Sequence, residues 1–502
     1  MASGDSFSRP SVARPQESRD SQAALHLSAR MRTSTRLKFG CVQALQEPVS
    51  PNSGLPNYFS REAGYDFQVL VRPVSSEEVR FALFAMGPYK APGPDGFPAI
   101  FFQAYRAVVE PSLVEFVRSV IDRGMSVSNV NDTLLVLISK VELPESIHQF
   151  RLISLCNVSY KLITKVIANR LQGYMAELVS PNQVSFVPRQ HIQDNIVIAQ
   201  VLVHSMHRMR RRKKFMAIKV DLEKAYDRLN WNFVVNTLVA ARVPEKLQLI
   251  IKDCISSVGM NVLWNGSLTE EFNSGRGIRQ GCPLSPYLFV LCVEHLSHLI
   301  REAVEAKVWQ PMHVGRDGPW ISHLMFTDDI LLFAKALENQ ITTVCTMTSF
   351  AQCRRRSSFK MSSTLGHYLG VPIVHGRLCR KHFEQIVSRV QDRINGWTAR
   401  TLSMVGRVTL AKSVIQVVPS LTMQVMRLPA NVCEQLHRHC HDCSRSSLEV
   451  RNGQRVMFWE DRWVAGCRPL LQHIRRAPDE AILNRKVAEF AHLSGSWNWE
   501  LI

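Results

Sequence analysis

Apolar residues recur at helical spacing in Val79, Ala82, Leu83 and Met86, and Ser75, Ser76, Glu77 and Glu78 precede them. The pattern predicts a capped helix from Ser75 or Ser76 through Met86, stopped by Pro88. A rigid Pro- and Gly-rich loop, KAPGPDGFPAIFF at 90–102, then leads into a second helical run, Phe101 to Ile121. Leu134 to Ile138 reads as a short strand entering Lys140, and the later part of FRLISLCNVSYKLITKVIANRL, 150–171, reads as a helix. A further helix is predicted over Gln193 to Met209, then a strand over Phe215 to Val220. Helical periodicity returns from Glu223 to Val243, with Ala225, Leu229, Phe233 and Leu238 facing inward.

Alternation takes over after 253. Asn261 to Phe272 alternates around Asn265-Gly266, which predicts a hairpin. The glycine-rich GRGIRQGCPLSP, 275–286, follows, with Ser285 expected to cap and Pro286 to start a helix reaching Ala306. Trp320 to Ala334 reads as two apolar strands around a tight acidic turn. Beyond Arg377 the chain is mainly helical and basic, and a separate region begins near Ser444. No repeat period emerges.

Composition narrows the picture. The 502 residues, 46% hydrophobic, suffice for at least one large core. A formal charge of +19 favours a polyanionic partner, although a basic protein that merely stays soluble explains it equally well. Twelve cysteines without repeating spacing point to reduced thiols in an intracellular protein, nuclear or cytoplasmic. Apolar stretches such as Tyr287 to Val293 are too short to cross a bilayer, so no membrane partner is expected. Residues 1–66 read as a disordered region, with an organellar leader as the lesser alternative. RMRRRKK at 208–214 reads as a solvated turn or a nuclear signal.

Chemistry concentrates in HLMFTDDILLFA, 323–334, where Asp328 and Asp329 stand side by side between apolar strands. A divalent metal would compensate the two charges, with Asp328 as direct ligand and Asp329 supporting or alternating. An ordinary acidic turn would look the same, so a second strand-end carboxylate is needed. Asp221, ending the strand in MAIKVDLEKAYDRLNW, supplies it. Hard oxygen ligands from two strand ends suit a pair of Mg²⁺ ions, or Mn²⁺, acting on a primer 3′-hydroxyl. Asp227 is the competing acid, and Tyr226 is either an aromatic wall beside a sugar or plain core. Clustered His437, His439, Cys440, His441 and Cys443 lack a second matched pair, which argues against zinc.

KVDLEKAYD, RGIRQGCPLSPYLF and FTDDILLFA, in this order, resemble the polymerase motifs of plant LINE-type (non-LTR) retrotransposon reverse transcriptases. KAPGPDGFPAIFF, residues 150–171, the Gln183 to Asn195 segment and HYLGVPI at 367–373 extend the resemblance. It implies an α+β right-hand polymerase fold, with fingers and an antiparallel palm sheet over 67–375 and a helical thumb-like region over 376–443. The role of 444–502 is left open. It further implies an RNA-directed DNA polymerase that takes an RNA template, a DNA primer and dNTP. Asp221, Asp328 and Asp329 would be the metal triad, and Tyr226 the gate against ribonucleotides. Lys140 and Arg151 would hold the triphosphate, with Gln280 and Gly281 at the nucleotide and template. Tyr368, Leu369 and Gly370 would be the primer grip. WTARTLSMVGRVTLAKSVIQ, 397–416, resembles the helical segment that follows the palm.

The pattern departs from the family in places. Thr327 replaces Ala, Ser139 and Leu152 replace Pro, and Pro188-Arg189-Gln190 stands where Pro-Gly-Arg is expected. A lysine-containing motif expected between Cys353 and Tyr368 is missing. Endonuclease and ribonuclease H segments are not evident, which is the pattern of a truncated element copy. The alternative is a non-catalytic RNA-binding protein built on a degenerate or maturase-like palm.

Overall fold

A computed structural model describes residues 67–141, 143–209, 215–222, 224–264, 266–314, 318–348, 362, 365–374, 376, 378–395, 413, 417–443 and 489. The expectations for 1–66, for most of RMRRRKK, for Asn265, for nearly all of 353–364 and 397–416, and for nearly all of 444–502 fall outside them. Two compact units divide the chain between Leu369 and Gly370.

In the first unit, helix α1 (Ser76–Phe84) starts where its polar residues dictate, with the Ser75 hydroxyl accepting the Glu78 amide at 3.2 Å. The single run expected over 101–121 is instead two helices, α2 (Ala99–Ala104) and α3 (Arg106–Ile121). Tyr105, at φ −94° and ψ 24°, leaves helical geometry between them. Strand β1 (Thr133–Ser139) pairs antiparallel with β2 (Phe150–Cys156), and helix α4 (Val158–Gln172) follows directly. Helix α5 (Ile192–Arg208) precedes strand β3 (Phe215–Asp221).

The helix expected over 223–243 is also divided. A helical turn at Ala225–Arg228 ends before Asn230, whose side chain accepts the Asn232 and Phe233 amides to cap α6 (Trp231–Ala240). An Asn at this point satisfies free donors of a new helix better than it continues an old one. Helix α7 (Glu245–Ser256) leads to β4 (Gly259–Trp264), β5 (Ser267–Leu268) and β6 (Phe272–Asn273). Leu263 faces Leu268 and Trp264 faces Ser267, so the hairpin forms at the expected turn, with Gly266 at φ +83°.

Helix α8 (Ser285–Glu305) follows the glycine-rich loop. Ser285 does not cap it. Leu284 holds that position and Ser285 is already helical, with Pro286 in the first turn where a missing N–H costs nothing. Tyr287 through Val293 are all buried, so the apolar stretch is a core helix covered on every side. Strands β7 (Met312–His313) and β8 (Trp320–Ile321) form a small ribbon. They precede β9 (His323–Phe326), β10 (Asp329–Lys335), helix α9 (Glu338–Thr348) and β11 (His367–Tyr368).

Two sheets result. One runs β2-β1-β4-β5, with β1 parallel to β4 and β6 also on β4; the other runs β3-β10-β9, fully antiparallel. A single core of buried residues from α3, α4, α6, α7, α8 and β10 underlies them. The fold class is α+β, as expected. In the second unit, β12 (Val371–Pro372) precedes helices α10 (Glu384–Asn395), α11 (Ser420–Val425) and α12 (Ala430–Cys443). Phe383, Val390, Val432 and Leu436 are in its separate core. Among the described residues no helix is long and apolar enough to cross a membrane.

Candidate active site

Strand β3 ends at Asp221 and β10 begins at Asp329, and these two are register partners. Facing residues of an antiparallel ladder have α-carbons about 4.5–5.5 Å apart and side-chain positions on one face. Backbone pairing alone therefore sets two acidic positions side by side. Asp328 lies in the turn between β9 and β10. Its carbonyl accepts the Leu222 amide at 3.4 Å, which ties the turn to the residue after Asp221. Its Oδ1 accepts from the Thr327 hydroxyl at 3.0 Å. Thr327 has φ +49°, a conformation that a β-branched residue rarely adopts.

Asp329 has a cationic neighbour. Lys219 Nζ lies 3.6 Å from its Oδ1 and also donates to the His367 carbonyl at 2.9 Å. Both partners are about a third exposed (35% and 34%), so solvent screens the pair to at most about 1 kcal/mol.

Tyr226 is placed by the turn after β3, which begins with Lys224 at φ +52°. Its ring stacks on Phe289, 4.6 Å between centroids and 15° between planes, and its carbonyl accepts the Ile278 amide at 2.9 Å. Burial pushes the phenol above its ordinary range, and the negative charge of Asp328 adds to the effect. The hydroxyl thus stays protonated beside an acidic turn. Asp227, the competing acid, is half-buried. Burial raises its carboxyl, with Lys224 and Lys140 acting against the shift.

The glycine-rich loop is docked and not a slack turn. The Gln280 carbonyl accepts the Ser154 amide at 2.8 Å, so the loop covers the outer edge of β2. Gly281 sits at φ +124°, where an added Cβ would lie 2.6 Å from the Ser154 carbonyl oxygen. A Cβ on Gly277, at φ +91°, would lie 2.8 Å from the Asp227 carbonyl oxygen. Gly275 has open space around it. Two of the three glycines are therefore required by close backbone approach.

Lys140 and Arg151 come to the same face of the β1-β2 pair. Ile138 faces Arg151, and the ladder continues through the bond from the Lys140 amide to the Gln149 carbonyl, 2.7 Å. Alternation then puts Lys140, Ile138 and Arg151 on one side, and both cations are exposed. The Lys140 ammonium reaches the His148 carbonyl at 3.3 Å. Tyr368 is fully buried; burial pushes its phenol up, with Asn195 lowering it and Asp329 raising it. Leu369 (φ +52°) and Gly370 (φ +82°) follow at the boundary of the two units.

Two further residues had no readable signal in the periodicity. Arg279 is buried and donates to the carbonyls of Asn131 (3.2 Å) and Cys254 (2.8 Å) and to the Thr133 hydroxyl (2.8 Å), with its guanidinium 4.1 Å from the centre of the Tyr160 ring. Ser185, also buried, accepts the Thr327 amide at 2.6 Å. Among the described residues no cluster of three or more His, Cys, Asp or Glu side chains is gathered for a metal. The carboxylates of Asp328 and Asp329, with the backbone of Asp221 in register opposite Asp329, supply hard oxygen donors of the kind a divalent cation takes.

Comparison with known proteins adds a likeness. Residues 138–364 match the family described as reverse transcriptase (RNA-dependent DNA polymerase). The chain is 29% identical over 297 residues to the transposon TX1 uncharacterized 149 kDa protein of Xenopus laevis, covering 58% of this chain and 22% of that one. It is 26% identical over 245 residues to the retrovirus-related Pol polyprotein from type-2 retrotransposable element R2DM of Drosophila melanogaster, covering 49% of this chain and 22% of that one. Over 65 residues it is 48% identical to an uncharacterized mitochondrial protein of Arabidopsis thaliana, 13% of this chain and 53% of that one. The matched part thus spans about a fifth of the two long relatives.

Proposed function

We propose that this chain, with its reverse transcriptase segment over residues 138–364, is an RNA-directed DNA polymerase of a LINE-type, non-LTR element of plants. It would join a dNTP to the 3′-hydroxyl of a DNA primer on an RNA template. The observation that carries the reading is the register of the palm: Asp221 opposite Asp329, with Asp328 in the adjoining turn. The 48% identity to the Arabidopsis protein supports the plant assignment.

Asp221, Asp328 and Asp329 would hold the divalent ions, Mg²⁺ or Mn²⁺. These supply the positive charge that activates the attacking hydroxyl and stabilises the departing pyrophosphate. The chain's own residues do the positioning. Tyr226, held flat on Phe289, is the wall against which a ribose 2′-hydroxyl would collide. Lys140 and Arg151, on one exposed face, hold the triphosphate, where guanidinium and ammonium groups bind phosphate oxygens well. The Gln280-Gly281 backbone approaches the base pair, and Tyr368, Leu369 and Gly370 steady the primer end.

A second reading, an RNA-binding palm without catalysis, is favoured by one observation: the Lys219 ammonium sits beside Asp329, where it competes with a metal for the carboxylate. Extension of a DNA primer on homopolymer RNA with Mg²⁺ separates the two. The first reading predicts dNTP incorporation. Salt-sensitive RNA binding with no incorporation would support the second and reject the first.

A further inference from the structure

The turn that carries Asp328 has an unusual conformation. Thr327 is β-branched and left-handed, at φ +49°, an arrangement that for most L-residues costs about 1–2 kcal/mol and persists only where surroundings enforce it. The enforcing contact comes from a segment 142 residues earlier: the buried Ser185 hydroxyl accepts the Thr327 amide at 2.6 Å. Ser185 is itself anchored, its amide donating to Gln183 Oε1 at 3.1 Å. The anchor is tied to β9. The Met325 amide donates to the Asn182 carbonyl at 2.8 Å, and the Val184 amide donates to the Met325 carbonyl at 3.3 Å. The Asn195 side chain donates to that same Met325 carbonyl at 2.9 Å. Residues 182–185 thus form a strap along the strand that ends at the acidic turn.

We propose that Ser185 is a positioning residue: by accepting the Thr327 amide it fixes the left-handed turn that aims the Asp328 carboxylate at the metal. The assignment rests on the reading of Asp328 as a metal-binding residue. Without the hydroxyl the turn relaxes toward ordinary backbone geometry, and Asp328 leaves its place opposite the end of β3. A glycine at 327 would hold the left-handed form without help.

Binding of Mn²⁺ alone, followed by electron paramagnetic resonance, tests this without requiring polymerisation. The proteins compared are wild type, Ser185→Ala, Thr327→Gly, the double variant and Asp328→Asn, each checked for fold by circular dichroism. Ser185→Ala should weaken Mn²⁺ binding about ten-fold in the wild-type background and less than about two-fold in the Thr327→Gly background. An equal loss in both backgrounds, or no loss in either, overturns the positioning role while leaving the metal site intact. Asp328→Asn binding as tightly as wild type, or a wild type that does not bind, overturns the metal reading and this inference with it. Primer extension gives the companion readout: Ser185→Ala should lower kcat and leave KM for dNTP unchanged.

Discussion

Two loops border the same site and are held by different means. The glycine-rich loop fits because side chains are absent: at Gly277 and Gly281 the backbone of a neighbour occupies the space that a Cβ would need. The acidic turn fits because side chains are present. Thr327 adopts a conformation suited to glycine, and Ser185 and its own hydroxyl bonds keep it there. The first loop should therefore be damaged by adding atoms, and the second by removing them.

The largest expected effect lies beneath the glycine loop. Arg279→Met removes three charge-assisted bonds, to the Asn131 and Cys254 carbonyls and the Thr133 hydroxyl, and should destabilise the first unit by about 4 kcal/mol in urea unfolding. A loss under 1 kcal/mol would mean that the loop does not depend on this anchor. Next is Gly281→Ala, expected to cost about 3 kcal/mol from a positive φ combined with a 2.6 Å approach. Gly275→Ala, in open space, should change stability by less than about 0.5 kcal/mol. Equal effects at the two glycines would erase the distinction drawn between docked and slack positions.

Along α8 the test uses pH. Glu294 on α8 is buried, and burial pushes its carboxyl up to about 7, with Ser180 and Ser297 lowering it. The folded state then binds a proton that the unfolded state releases at ordinary carboxyl pH. The contribution is fully present below about 4.5 and lost as pH rises through 7. Glu294→Gln should flatten that slope, gaining about 2 kcal/mol over wild type at pH 8 relative to pH 5. His323 on β9, lowered by burial to about 3, works oppositely, so wild-type stability gains from it as pH rises from 3 toward 6.5. A Glu294→Gln melting profile parallel to wild type would contradict the assignment.

A small effect should come from Lys219→Ala. The partly solvated pair with Asp329 contributes no more than about 1 kcal/mol to stability. Removing the competing cation should strengthen Mn²⁺ binding slightly, a gain of about two-fold or less; weaker binding would mean that Lys219 supports the carboxylate and does not compete for it.

Much of this arrangement is legible in the sequence where local chemistry dictates it. Ser75 caps α1, Gly266 turns the hairpin, and the acids at 221, 328 and 329 stand where strands end. What escaped reading depends on distant partners. Nothing local states that β1 runs parallel to β4, that Arg279 turns inward beneath Tyr160, or that Ser185 reaches Thr327. The helix breaks at Tyr105 and Asn230 escaped for another reason: apolar periodicity persists across them, while the backbone does not. At Asn230 a residue type that caps helices stands inside an apolar periodicity that runs on across it. Gly281 illustrates both cases, since its need for positive φ is suggested by its type but the carbonyl it would strike belongs to Ser154.

We propose that Asp221 and Asp329, register partners on β3 and β10, together with Asp328 in the adjoining turn, carry nucleotidyl transfer. The most direct test is single-nucleotide incorporation on an RNA template with Mg²⁺, comparing wild type with Asp328→Ala at equal circular dichroism. Incorporation by wild type, reduced at least about a thousand-fold in the variant, is the predicted result. Equal incorporation by the two proteins would contradict it.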